Sequence, residues 1–149
     1  MGEFDDDGPE SLVLGFANGW THALATLLPI MGKRMDMCKA KGFEALDPDN
    51  VDGYGNRTGF PLTGADSLAY LRALLAMAHE RGLSMGLKNA VELVPALAGE
   101  MDFAVNESCE VYAGCGADAP MVTGGKAILH IEYRGTIAAI CGNRPAAFS

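Results

Sequence analysis

The chain has 149 residues, of which 49% are hydrophobic and 20% charged, and a formal net charge of -8. That length and apolar content suit one domain with one core and exclude a disordered chain, which pairs low hydrophobicity with high charge. No apolar run reaches the roughly 20 residues of a spanning helix, and so acidic a chain suits a cationic partner better than nucleic acid or a membrane surface.

Residues 1–20 hold the acidic run Asp5–Asp7 and a short apolar patch, Leu12 to Phe16. They read as a divergent or disordered leader before a domain over 21–149. The first residues show neither a basic start nor an apolar segment, so no signal peptide is expected there. From Ala25 to Lys41, the residues Leu27, Leu28, Met31, Met35 and Cys38 recur at helical spacing, with Gly42 where a C-cap belongs. Pro29 predicts a helix start near itself. Phe43–Asp47 reads as a short strand, followed by a turn-rich stretch over 48–61.

Thr63 with Asp66 three places on predicts a helix start. Leu68, Leu71, Leu74, Leu75 and Ala78 supply its apolar face, and Gly82 ends it. Leu83–Leu87 is strand-like, and Lys88-Asn89 leads into a helix through Val91, Leu93, Val94 and Leu97. Asp102–Val105 predicts a strand ending in Asn106-Glu107, Ala117–Thr123 a short helix, and Ala127–Ile131 a strand ending in Glu132-Tyr133. Strands alternating with helices predict an α/β fold of parallel strands with right-handed crossovers. An open doubly wound sheet and a closed eight-stranded barrel both fit. No Gly-x-Gly-x-x-Gly follows a strand, which weakens dinucleotide binding.

The carboxyl ends of parallel strands form the functional face in either architecture. Here they read Asp47-Pro-Asp49-Asn50, Lys88-Asn89, Asn106-Glu107 and Glu132-Tyr133. Two carboxylates from separate strand ends are what glycoside hydrolysis requires: one protonates the leaving oxygen, the other attacks the anomeric carbon or activates water. Asp49 and Glu107 are the expected pair, with Asp47, Asp52 and Glu132 in reserve. The competing reading of each aspartate is a turn cap. A calcium loop over Asp47–Thr58 fails, because the third acid and the glycine come one place late and the twelfth position is Thr58. No metal or cofactor is expected.

Lys88 at a strand end can form a Schiff base, as in a lyase, or serve as the ion-pair partner that keeps a catalytic carboxylate ionised; the surrounding acids favour the second. His79 is expected at a helix surface and His130 in the core, with His22 in the leader. The four cysteines lack zinc-type spacing. Their even count fits a local Cys109–Cys115 disulfide, with Cys38 and Cys141 as a second candidate pair. Asn56-Arg-Thr58 and Asn106-Glu-Ser108 match the glycosylation pattern.

Several stretches together resemble one family. Gly42-Phe-Glu-Ala-Leu-Asp-Pro-Asp-Asn-Val-Asp-Gly-Tyr54, Thr58-Gly-Phe-Pro-Leu-Thr63, Gly86-Leu-Lys-Asn89, Phe103-Ala-Val-Asn-Glu107 with Cys109, and Glu132-Tyr133 are similar to glycoside hydrolase family 114. The resemblance implies secreted TIM-barrel enzymes, endo-α-1,4-polygalactosaminidases, acting on a cationic galactosamine polymer. It maps an aspartate of the Pro-Asp-Asn motif to Asp49 and a glutamate of the Asn-Glu motif to Glu107. The family's cysteines after that motif match Cys109 and Cys115. Asp47, Asn50, Asp52, Tyr54, Lys88, Asn89, Asn106, Glu132 and Tyr133 are expected to line the cleft and bind substrate. A whole barrel takes about 250 residues, so this chain is expected to hold the second half, roughly strands four to seven, with open edges that invite self-association. An inactive fragment that still binds aminosugar polymer is the alternative.

Overall fold

The computed structural model describes residues 9–141, with side chains over 24–140. The run Asp5–Asp7 and the side chains of Leu12 to Phe16, His22 and Cys141 lie outside the described residues. The elements in chain order are α1 (Pro9–Ala40), β1 (Ala45–Leu46), α2 (Gly64–Glu80), β2 (Ser84–Lys88), α3 (Val94–Leu97), β3 (Phe103–Glu107), α4 (Ala119–Thr123), β4 (Ala127–Ile131) and α5 (Ile137–Cys141). The four strands form one parallel sheet in the order β1-β2-β3-β4. This is the expected α/β alternation, with α5 in addition. No helix of the described residues is long and apolar enough to cross a membrane.

Two boundaries differ from expectation. α1 continues through Pro29 rather than starting there. Proline lacks the N–H that would bond the carbonyl of Ala25, a local loss that the rest of a 32-residue helix tolerates. The first strand is only Ala45–Leu46, because Phe43 belongs to the end of α1. The Phe43 amide donates to Cys38 O at 3.1 Å and the Gly42 amide to Lys39 O at 3.0 Å. That is a Schellman cap, and it needs a residue such as Gly42, which adopts φ +86°. α2 starts as expected. Thr63 accepts from the Asp66 amide while the Asp66 carboxylate accepts from the Thr63 amide, a reciprocal capping box.

Register fixes which side chains share a face. Leu46 is level with Met85, Leu87 with Ala104, and Ala104 with Ile128. These residues meet the helices, in a core with Leu71, Leu74, Leu75, Ala78, Leu93, Val94, Leu97 and Met101. Successive strand residues point to opposite faces. Gly86, Phe103 and Ala127 therefore share a row on the other face, as do Lys88, Val105 and Leu129, then Glu107 and Ile131. A methyl group at Gly86 would stand 2.4 Å from the Phe103 ring, so glycine lets that ring lie across β2. Leu129 and Ile131 remain exposed on this second face.

Candidate active site

Lys88 ends β2 on the face away from the helices and is only 8% exposed. Its ammonium donates to Asp49 Oδ1 at 3.0 Å and pairs with Glu107 Oε2 at 3.0 Å. Two oxygens that are each 3.0 Å from one nitrogen lie no more than 6 Å apart. Carboxylates carried by the loop after β1 and by the end of β3 thus meet on one cation. The ion-pair reading of Lys88 matches this geometry. Burial works against the lysine's charge, but the bonds to Asp49 and Glu107 outweigh it and hold its pKa well above the usual lysine range. An ammonium bonded to two carboxylates is placed as an ion-pair partner rather than as a free carbonyl nucleophile.

Glu107 is held from three sides. Tyr133 Oη donates to Oε1, while Lys88 and the Asn89 amide (3.3 Å) reach Oε2. The Glu107 backbone amide in turn donates to Asn89 Oδ1 at 2.8 Å. Asn89 sits at φ 49°, a left-handed conformation that asparagine tolerates better than most residues. The Tyr133 bond first, then those from Lys88 and Asn89, hold the Glu107 carboxyl down to about 2. Asp49 is lowered by Lys88 and by its bond from the Asn50 amide. Asp47 moves the other way: desolvation raises it, Lys88 opposes, and the charges of Asp49 and Glu107 add to the rise. Tyr133 is raised by its bond to Glu107.

The remaining expected residues divide. Tyr54 donates to Glu92 at 2.5 Å, joining the loops after β1 and β2; desolvation and that bond raise its phenol. Asp52 precedes the short 3-10 turn Gly53–Gly55 that carries Tyr54. Glu132 accepts from the Glu110 amide at 2.9 Å, so one of its oxygens fastens the loop after β3.

Asn106 corrects expectation. Its neighbour Glu107 faces the site, so strand alternation turns Asn106 to the helix side, level with His130. There it is buried and donates to Asp118 at 2.8 Å. It does not line the cleft, and its glycosylation pattern is sequestered. Sequence reasoning missed Asp118; the signal was an acid just before a helix with proline in its first turn. His79 pairs with Asp102 at 2.8 Å. Cys109 and Cys115 form the expected disulfide. Cys38 is free, so its pairing with Cys141 is not formed. Among the described residues, the grouping with metal-ligand spacing is Cys109, Cys115 and His130, outside the carboxylate cluster.

The family profile described as glycoside-hydrolase family GH114 matches residues 16–148. The crystal structure of Aspergillus fumigatus Ega3 in complex with galactosamine is similar to this chain, with a TM-score of 0.75 and 36% identity. The match covers 83% of this chain and 54% of that one, so the chain spans about half the length of Ega3. No curated protein sequence matches. The parallel α/β architecture agrees with this likeness, and the profile covers most of the sequence. The chain belongs to glycoside-hydrolase family GH114.

Proposed function

We propose that this chain carries a glycosidase centre that cuts α-1,4-linked galactosamine polymers, with Asp49 and Glu107 as the reacting pair. The observation that carries the reading is the one ammonium of Lys88 bound to both carboxylates. Galactosamine in the Ega3 complex supports an aminosugar as substrate. A partly cationic polymer suits a cleft of acids in a chain of net charge -8, since the negative potential raises its local concentration. Two oxygens that share one ammonium are compatible with the roughly 5–5.5 Å carboxyl spacing of retaining enzymes.

In this reading Asp49 attacks the anomeric carbon as the glycosidic C–O bond breaks, and Glu107 gives its proton to the leaving oxygen. Water then attacks the same carbon, Glu107 takes a proton from it, and Asp49 leaves. Lys88 links the two roles. While Asp49 is esterified it carries no charge, so the ammonium serves Glu107 alone and favours the anion that acts as base. In the free site Glu107 is also an anion, so it takes its proton from bulk solvent as a sugar enters, desolvates the carboxylate and favours its neutral form. Asp47, Asn50, Asp52, Tyr54 and Tyr133 make the substrate contacts. The disulfide fits an oxidising, extracellular compartment. Association through the parallel edges of β1 and β4, which are open among the described residues, belongs to the same reading; Leu129 and Ile131, exposed on the face of β4, add apolar surface beside that edge.

The test is proton NMR of galactosamine oligomers incubated with the chain. Shortened oligomers whose new reducing ends form first as the α anomer are expected. A β anomer formed first overturns the double displacement, and binding without shortening overturns the enzymatic reading.

A further inference from the structure

On the helix side of the sheet, opposite to Glu107, a second cluster lies outside the glycosidase reading and does not depend on it. The His130 ring is 5% exposed and the Asp118 side chain 2%. His130 Nδ1 stands 3.5 Å from Cys109 Sγ, and Nε2 stands 3.4 Å from Asp118 Oδ2, which also accepts from Asn106. The ligand atoms of Cys109, Cys115 and His130 all lie within 4.8 Å of one another.

We propose that, once the Cys109–Cys115 disulfide is reduced, Cys109, Cys115 and His130 bind one zinc ion, with Asp118 orienting His130 from behind. Zinc takes thiolate at about 2.3 Å and imidazole at about 2.0–2.1 Å, so tetrahedral ligands of these two kinds lie about 3.5 Å apart. The sulfur–nitrogen pair already has that separation. Two reduced sulfurs relax to ordinary van der Waals distance, which is close to what a zinc site needs between thiolates. A ligating histidine whose other ring nitrogen faces a carboxylate is the usual way such a ring is held in the right tautomer. Half-buried Cys115 leaves a fourth position for water.

The reaction balances simply. A phosphine takes up one water oxygen to become the phosphine oxide, and the disulfide becomes two thiols. Zinc then binds both sulfurs as thiolates, releasing two protons. Disulfide and zinc are alternative fasteners of the loop that leaves β3 directly after Glu107, one for oxidising and one for reducing surroundings.

Titration of the phosphine-reduced full chain with zinc chloride against a chromophoric chelator tests this. One zinc per reduced chain and none per oxidised chain is expected. His130→Ala weakens binding at least tenfold, and Asp118→Asn weakens it about 10–100-fold, the usual effect of losing such a carboxylate. Equal uptake in both redox states, no uptake on reduction, or undiminished affinity in His130→Ala overturns the site. Zinc X-ray absorption on the reduced wild type decides even where a variant does not fold. Two sulfurs near 2.3 Å with a nitrogen near 2.0–2.1 Å are expected; a shell lacking either element refutes the assignment.

Discussion

Glu107→Gln removes a charge and a proton carrier while leaving the local bonding intact. Lys88 and Asn89 both donate to Oε2, and Tyr133 donates to Oε1. The glutamine carbonyl can occupy the first position and accept from Lys88 and Asn89. Its amide nitrogen then faces Tyr133, whose oxygen rotates from donor to acceptor. The backbone bond from residue 107 to Asn89 Oδ1 is untouched. The turned hydroxyl of Tyr133, a residue 70% exposed, donates to water, so no donor is left without an acceptor and the variant should fold as the parent does. General acid–base catalysis typically contributes 10²–10⁴-fold, and that loss in turnover is expected with oligomer binding retained. The assay is release of new reducing ends from galactosamine oligomers, run beside a thermal melt. Substrates with an activated leaving group need little protonation, so glycosyl-enzyme formation from them should survive the change. Turnover within tenfold of the parent, from a variant that melts cooperatively and well above the assay temperature, would refute the role of Glu107.

Three further outcomes follow from the same contacts. Tyr133→Phe deletes the bond that contributes most to lowering Glu107; the alkaline limb of the pH–rate profile should move upward, whereas an upward move of the acid limb would make Glu107 the nucleophile. Asn89→Gly keeps the left-handed backbone but loses both side-chain bonds to Glu107, and kcat should fall about 10–100-fold, as small misplacements do, with little change in KM. Glu107 favours the folded state as an anion, so its contribution is full above about 4.5 and is lost as pH falls through about 2. Melting temperatures of the parent and Glu107→Gln should therefore converge over that window, and a constant difference would contradict the hydrogen bonding seen around Glu107.

Much of this arrangement is written in local pattern. Thr63 and Asp66 announce α2 because a reciprocal cap needs only those two side chains and the turn between them. Strand ends are legible for a similar reason: apolar bodies stop where Lys88 and Glu107 begin. What local pattern does not carry is which of two adjacent polar residues faces the cleft. Asn106 and Glu107 look equally suited, and only register against His130 and Ile131 separates them. The supporting bonds are invisible for another reason. Asn89 and Tyr133 reach Glu107 across 18 and 26 residues, distances that sheet order alone can close. The shortness of β1 is not legible because Phe43 has two possible partners, the next strand and the end of α1, and the helix cap takes it.

The placement of Lys88 makes the two acids one titrating unit. A cation shared by two carboxylates cannot be assigned to either, and protonation of one returns the whole ammonium to the other. The exposures of the three groups decide how this works: Lys88 is 8% exposed, Glu107 27% and Asp49 62%. The buried member is the cation, so water can replace either acid's share of the bond more readily than it can reach the lysine. The pair is therefore loosened from its outer side, where Asp49 meets solvent and where a sugar would enter. In the double displacement proposed above, esterification of Asp49 would withdraw the more hydrated partner and leave the ammonium bonded to Glu107 alone. That order is what a base needs in the second half of a double displacement. It also explains why a lysine, with one compact charge, occupies the position: an arginine fork would favour bidentate pairing with a single carboxylate and hold the two acids apart.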